Sequence, residues 1–216
     1  MSSSTLVVFG AGGRVGRAVT AEAVARGLSV TAAVRSPERH ADLAGPQVTV
    51  VGCDVSDAEA VAEAAAGHGA AVSSLYRADV PSQDFYGAVT EGLLAGLGRA
   101  GTGRLVSVGM AATLETAPGV RVMDDPEFPA EWRTFSLGHA LALDLLATRA
   151  PAVLDWLVLT PPMDLGHDGV RTGRYQLGGR AFPEGGGHIS HADYAIAVLD
   201  QIERPSRHRT QISVYS

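Results

Sequence analysis

The stretch that most constrains this chain lies near its start, where residues 7 to 19 read VVFGAGGRVGRAV. An apolar run of strand length breaks into four glycines before apolar residues return at helical spacing. Gly10, Gly13 and Gly16 recur at every third position, and Gly12 adds a further small residue. A strand that turns this sharply into a helix needs positions without side chains, because a Cβ would hold the two elements apart. The same turn leaves amide N–H groups free at the helix start, beside the positive end of its dipole, which suits a diphosphate. The segment Gly10, Gly12, Gly13, Arg14, Val15 and Gly16 is therefore the candidate pyrophosphate seat.

The rest of the chain tests that reading by its rhythm. TLVVFG, LSVTAAV, QVTVVGC, GAAVSSL, GRLVSVG and AVLDWLVLT are six strand-like apolar runs. Helical segments near residues 14–27, 37–44, 57–66, 84–100 and 133–148 separate them. Nearly continuous apolar strands alternating with helices indicate a parallel sheet covered on both faces. The fold class expected is α/β, a Rossmann-type doubly wound parallel sheet with helices on both faces and a small C-terminal substrate-side excursion. Gly27 and Gly101 stand where helices should stop, Ser56 or Asp57 can cap the third helix, and Ser190 with Asp193 has capping-box spacing. The glycine-rich segment GRYQLGGRAFPEGGGHIS reads as a hairpin-like excursion, and TQISVYS as a closing edge strand that could pair with another copy. One domain over residues 1–216 is expected, with residues 160–190 as the substrate-side lobe. The long segment from Met110 to Trp132 reads as a functional or capping loop.

Composition narrows the partners. The formal net charge is −6, from 17 basic and 23 acidic residues scattered without a basic block. Nucleic acid is therefore not an expected partner. The N-terminal apolar run is too short for a signal or membrane helix, so a cytoplasmic protein that is a monomer or homodimer is expected. Cys53 ends a strand-like run and reads as a core thiol.

In a doubly wound sheet the residue closing the second strand reads the adenosine ribose: an acid binds free hydroxyls, and a base accepts a 2′-phosphate. Here the stretch is AAVRSPER, which places Arg35 there, with Ser36 beside it and Arg39 a turn beyond. A guanidinium fork suits a phosphate monoester, so NADP(H) is the expected cofactor, with NAD(H) possible. Ligands lie along the carboxyl ends of the strands. Asp54 and Val55 should therefore border adenine, and Ser74, Leu75 and Tyr76 the pyrophosphate and ribose. Gly109 with Met110, and Pro161 with Pro162, should surround the nicotinamide.

Taken in order, VFGAGGRVGRAV, VRSPER, CDVSD, RLVSVGMAATLETAPG, PEFPAEW and ISHADYAIAVLDQIE run essentially end to end. The chain resembles the atypical short-chain dehydrogenase/reductases of the NAD(P)H-binding, NmrA-like group. It is most similar to the bacterial NADH-flavin reductase subset, which also resembles biliverdin reductase B. The resemblance implies NAD(P)H giving a hydride to a flat conjugated small molecule such as a flavin or quinone. Some NmrA-like relatives only sense the nucleotide.

Ordinary members of that superfamily activate a carbonyl with Tyr-x-x-x-Lys on the helix after the fifth strand. Here that helix reads WRTFSLGHALALDLLATR, without tyrosine or lysine. The biliverdin-reductase relatives carry a serine after the fifth strand and a histidine after the Pro-Pro, where this chain has Met110 and Met163. Ser107 within the strand and His139 on the helix are the remaining catalytic candidates, although strand alternation turns Ser107 toward a helix. Met110, Trp132 and Met163, with Tyr76, are expected to wall the substrate pocket. His188 and His191 flank Ser190 and read as shaping that turn. Asp124, Asp125 and Glu127 read as solvated loop charges, and MDLGHDG, with Asp164, His167 and Asp168, is not expected to bind metal. The function expected is an NAD(P)H-dependent reductase. The alternatives are a nucleotide sensor without turnover or a non-redox biosynthetic enzyme.

Overall fold

The run Thr5–Phe9 forms strand β1, and its residues alternate between two helical layers. Leu6 and Val8 are buried with Val19, Ala23, Tyr194 and Leu199, whereas Val7 and Phe9 are buried with Val61, Leu93, Leu97 and Leu146. That period of two, apolar on both faces, is what a strand covered on both sides requires. The computed structural model describes residues 5–166 and 169–216. In chain order β1 is followed by α1 (Arg14–Ala25), β2 (Ser29–Val34), β3 (Val48–Gly52), α2 (Ala58–Ala65), β4 (Ala70–Ser73), α3 (Ser82–Ala100) and β5 (Arg104–Val108). Next come β6 (Glu115–Ala117), β7 (Val120–Arg121), α4 (Ala130–Arg149), β8 (Asp155–Thr160), β9 (Asp164–Gly166), β10 (Gln176–Leu177), β11 (His188–Ser190), α5 (His191–Glu203) and β12 (Thr210–Tyr215). Pro37–Leu43 is a short 3-10 segment rather than an α-helix.

The main sheet runs β3-β2-β1-β4-β5-β8-β12-β10. Its pairings are parallel up to β12, and only β10 joins antiparallel. Strand order reverses between β1 and β4, which opens a crevice at their carboxyl ends, where a doubly wound sheet takes its ligand. Helices α1 and α5 cover one face, and α2, α3 and α4 the other. Arg26, the C-cap of α1, ties the first layer together, reaching Asp200 and Glu203 of α5 at 2.7 Å each.

The local stop and start signals act as expected. Gly101 ends α3 in the left-handed region at φ 71°, with Thr102 N donating back to Leu97 O. The Asp57 carboxylate accepts from Glu59 N, and Ser190 Oγ accepts from Asp193 N at 3.0 Å. The buried Asp193 carboxylate accepts from Thr172 N and Gly173 N, pinning the neighbouring loop.

Three expectations need correction. The segment 173–190 is not a hairpin: β10 pairs with β12, and β11 runs parallel to β9. Its two strands find different partners because each lies beside an edge already in place. β12 is not an edge strand either, since β8 flanks it on one side and β10 covers Val214 and Tyr215 on the other. Finally, α4 starts three residues earlier than Arg133, at Ala130, because Pro129 supplies a rigid N-cap.

Candidate functional site

The glycine turn is built by close backbone approaches. Gly10 has φ +79°, and a Cβ there would lie 2.5 Å from Ser74 O on β4's exit. A Cβ on Gly16 would lie 2.2 Å from Gly10 O, so α1 can start this close to β1 only without one. Gly10 N donates to Ala33 O at 3.0 Å, and Gly13 N to Gly10 O at 3.1 Å, which locks the turn between β1 and β2. Gly13 is the N-cap of α1, no side chain caps it, and the first turn contains no acidic residue. This helix end therefore presents amides and positive dipole without a competing carboxylate.

In front of the turn lies a cleft of about 740 Å³, within the roughly 300–1,000 Å³ common for small-molecule sites. Of the residues expected at the nucleotide, Gly10, Gly12, Gly13, Arg35, Ser36, Asp54, Val55, Ser74, Leu75 and Tyr76 line this cleft. Arg14, Val15 and Gly16 form the first turn of α1 behind it. Pro161 and Pro162 are buried at the end of β8, and Gly109 lines a separate, smaller cavity.

The cleft's charge is uneven. Among the described residues, neither Arg35 nor Arg39 has a carboxylate within ion-pair distance. Arg77, on the facing loop, donates to both carboxylate oxygens of Asp79 at 2.7 and 2.9 Å. The Arg77 hydrogen bonds hold Asp79 down at about 2. Asp54 accepts from Ser56 Oγ and Ser56 N, bonds that keep its carboxyl below the usual range, with help from Arg35 and Arg77. Arg77, Asp79 and His40 were missed in the sequence. The stretch YRAD directly after the fourth strand was the available signal for the first two.

The smaller cavity, about 30 Å³, lies between β5, α3 and α4 and has room for one water. Ser107, Thr113, Met110 and His139 line it, and Leu75 and Val89 wall both spaces. Ser107 thus faces the helical layer, as strand alternation requires, and lines the same cavity as His139. Gly138 brings α4 close enough, since a Cβ there would lie 2.1 Å from Ser82 Oγ on α3. His139 packs tilted against Tyr86 at 4.0 Å between ring centroids and meets Phe135 edge-on at 5.3 Å. Burial among these rings pushes its imidazole down to about 4, so it is neutral at ordinary pH. It cannot then act as a cationic acid, and its chemistry is that of a neutral donor and acceptor.

Trp132, Phe135 and His139 fall on one stripe of α4, running from the surface inward. Tyr76 packs on Phe135 at 5.7 Å. Of the expected pocket walls, Tyr76 lines the cleft at 67% exposed and Met110 lines the inner cavity, whereas Trp132 and Met163, 54% and 57% exposed, line neither. The long loop is ordered by Arg133, which donates to the carbonyls of Met123, Asp125 and Phe128. Within that loop Asp124 pairs with Arg121 at 2.9 Å and Asp125 caps Glu127 N, so these acids serve the loop itself. Arg180 joins the loop to the C-terminal excursion through Glu115 at 2.7 Å. His188 pairs with Asp164 at 3.0 Å, while His167 and Asp168 lie outside the described residues.

Among the described residues no helix is long and apolar enough to cross a membrane. A family profile described as NAD(P)H-binding matches residues 10–205. The uncharacterized Bacillus subtilis protein YwnB is 33% identical, over 97% of this chain and 97% of that protein. A putative epimerase of Bacteroides thetaiotaomicron is 34% identical with a TM-score of 0.86, matching 98% of this chain to 96% of its own. A putative NADH-flavin reductase of Streptococcus pneumoniae is 32% identical with a TM-score of 0.78, over 98% of this chain and 99% of that one. The crevice at the strand-order reversal and these likenesses agree, and the chain belongs to the NAD(P)H-binding family, with the Rossmann-type, oxidoreductase-like fold of the atypical short-chain dehydrogenase/reductases.

Proposed function

We propose that the protein is an NADPH-preferring reductase acting on a small, flat, conjugated acceptor, with flavins and quinones as the first candidates. The observation that carries this reading is a capless, acid-free helix start at the strand-order reversal, opening on a cleft whose β2 side holds Arg35 and Arg39 without carboxylate partners. The cradle fits a dinucleotide, because Gly10 and Gly16 let the uncapped start of α1 lie directly against the ends of β1 and β4 at the cleft. Gly10, Gly12 and Gly13 would hold the diphosphate with the amides of Arg14, Val15 and Gly16. Arg35 and Ser36 would take the 2′-phosphate. Asp54 and Val55 would border the adenine, and Ser74, Leu75 and Tyr76 the pyrophosphate and ribose. Gly109, Pro161 and Pro162 would flank the nicotinamide end.

NADPH, when bound, supplies a hydride at its nicotinamide ring. The chain's own part is to position and to manage a proton. Tyr76, Trp132, Met110 and Met163 offer apolar surface for a planar acceptor and exclude water from its face. Ser107 and the neutral His139 line a cavity with room for one water, and together they would pass a proton from such a water toward the acceptor. Residues 160–190, tied to the long loop by Arg180 and Glu115, form the substrate-side lobe.

Steady-state oxidation of NADPH with a panel of free flavins and quinones tests the proposal. The expected outcome is turnover faster with NADPH than with NADH, and a drop of roughly tenfold or more in kcat for Ser107→Ala with unchanged NADPH affinity. Tight NADPH binding without turnover on any acceptor would instead support a sensor. That second reading draws on the methionines at 110 and 163, where relatives carry acid/base residues.

A further inference from the structure

We propose that His40 is a specificity-determining residue of the cleft, donating a hydrogen bond from Nε2 to a phosphate monoester on the adenosine 2′ position. This deepens, and rests on, the cofactor reading above. His40 sits in the short segment Pro37–Leu43, where its own backbone leaves the helical region at φ −132°, ψ 23°. That break lays the ring over the glycine turn. A Cβ on Gly12 would lie 2.5 Å from His40 Cε1 and 2.6 Å from Nε2. Gly12 thus makes room for an imidazole, a role distinct from admitting a diphosphate.

Arg17 fixes the ring's orientation and tautomer. Its Nε donates to Gly12 O at 3.0 Å, its Nη1 to Asp42 Oδ2 at 2.6 Å, and its Nη2 reaches His40 Nδ1 at 3.4 Å. A guanidinium has only donors, so Nδ1 accepts and the ring hydrogen is on Nε2. Among the described residues Nε2 has no hydrogen-bond partner. The ring lines the cleft together with Arg35, Ser36 and Arg39. Arg17 is neutralised by Asp42, whereas Arg35 and Arg39 have no carboxylate within ion-pair distance; Asp54 and Asp79 line the same cleft and feel the charge of Arg35 without bonding it, so the wall that His40 shares with Arg35 and Arg39 keeps donors for an anion. A phosphate monoester supplies acceptor oxygens to such donors, whereas a bare ribose hydroxyl does not gain from the two cations.

Calorimetric titration of the full chain with adenosine 2′,5′-bisphosphate and with adenosine 5′-phosphate separates the terms. The wild-type protein is expected to favour the bisphosphate. His40→Phe keeps a ring over Gly12 but removes the donor. It should weaken the bisphosphate about tenfold and leave adenosine 5′-phosphate within twofold, which also shows that the fold is intact. Unchanged preference in His40→Phe would overturn the proposal, leaving the imidazole as packing only. Equal wild-type affinity for both probes would overturn it together with the NADP preference, and binding of neither would overturn the cofactor reading itself.

Discussion

At Gly16 a single methyl group would meet a rigid obstacle, since its Cβ would stand 2.2 Å from the backbone oxygen of Gly10 and 2.7 Å from Ala11 Cα. Neither neighbour can rotate away, because Gly10 is itself pressed against Ser74 O and bonded to Ala33. Gly16→Ala should therefore cost more than about 2 kcal/mol of stability, read as a lower urea midpoint with an unchanged slope. A midpoint within error of wild type would mean that α1 and β1 are not in the close contact described. Such positions were legible in the sequence, because a glycine triplet after an apolar run has few other reasons to exist. Arg35 was legible from the count of residues to the end of β2. His40 was not: its place over Gly12 depends on one non-helical residue inside a 3-10 segment, which no periodicity announces. Arg77 was only half legible: YRAD marks it after the fourth strand, but its pairing with Asp79 and its position across the cleft are set by an irregular loop.

Helices α3 and α4 show how an element sets chemistry. Gly138 seats α4 against Ser82, whose Oγ donates to Phe135 O at 2.7 Å, and this packing encloses His139 among Tyr86 and Phe135. Desolvation lowers the imidazole from an ordinary value of 6.5 to about 4. Between those two values the unfolded chain binds a proton that the folded chain refuses, so stability falls as pH is lowered through that window. The loss by pH 5 should be about 2 kcal/mol from this group alone. Urea melts of wild type and His139→Phe at pH 7 and pH 5 check the sign: the variant should lose less stability on acidification, and equal losses would contradict an enclosed neutral histidine. The element pattern itself was readable along the sequence, since both helical layers and the central strands follow apolar period. The closing pieces were not. β10 holds only Gln176 and Leu177, and β9 pairs β11 across a glycine-rich excursion, so neither carries a local signature. The presence of β10 also turns β12 from an edge into an inner strand, a change that depends entirely on distant pairing.

At the scale of the whole molecule, one sheet with a strand-order reversal between β1 and β4 places the glycine turn, the β2 end with Arg35 and the β4 exit around one crevice. The inner cavity with Ser107 and His139 adjoins it through Leu75 and Val89. The fold was legible because its topology follows from a repeated strand-helix unit that must cross over right-handed. The reaction was less so, since the residues that would act lie on different elements and meet only after packing. A dinucleotide seat that reads the 2′-phosphate is tested by calorimetric titration with NADPH and NADH. The expected result is one site per chain, NADPH bound at least about tenfold tighter than NADH, and that difference largely lost in Arg35→Ala. No binding of either nucleotide, or a preference for NADH that Arg35→Ala leaves unchanged, would contradict it.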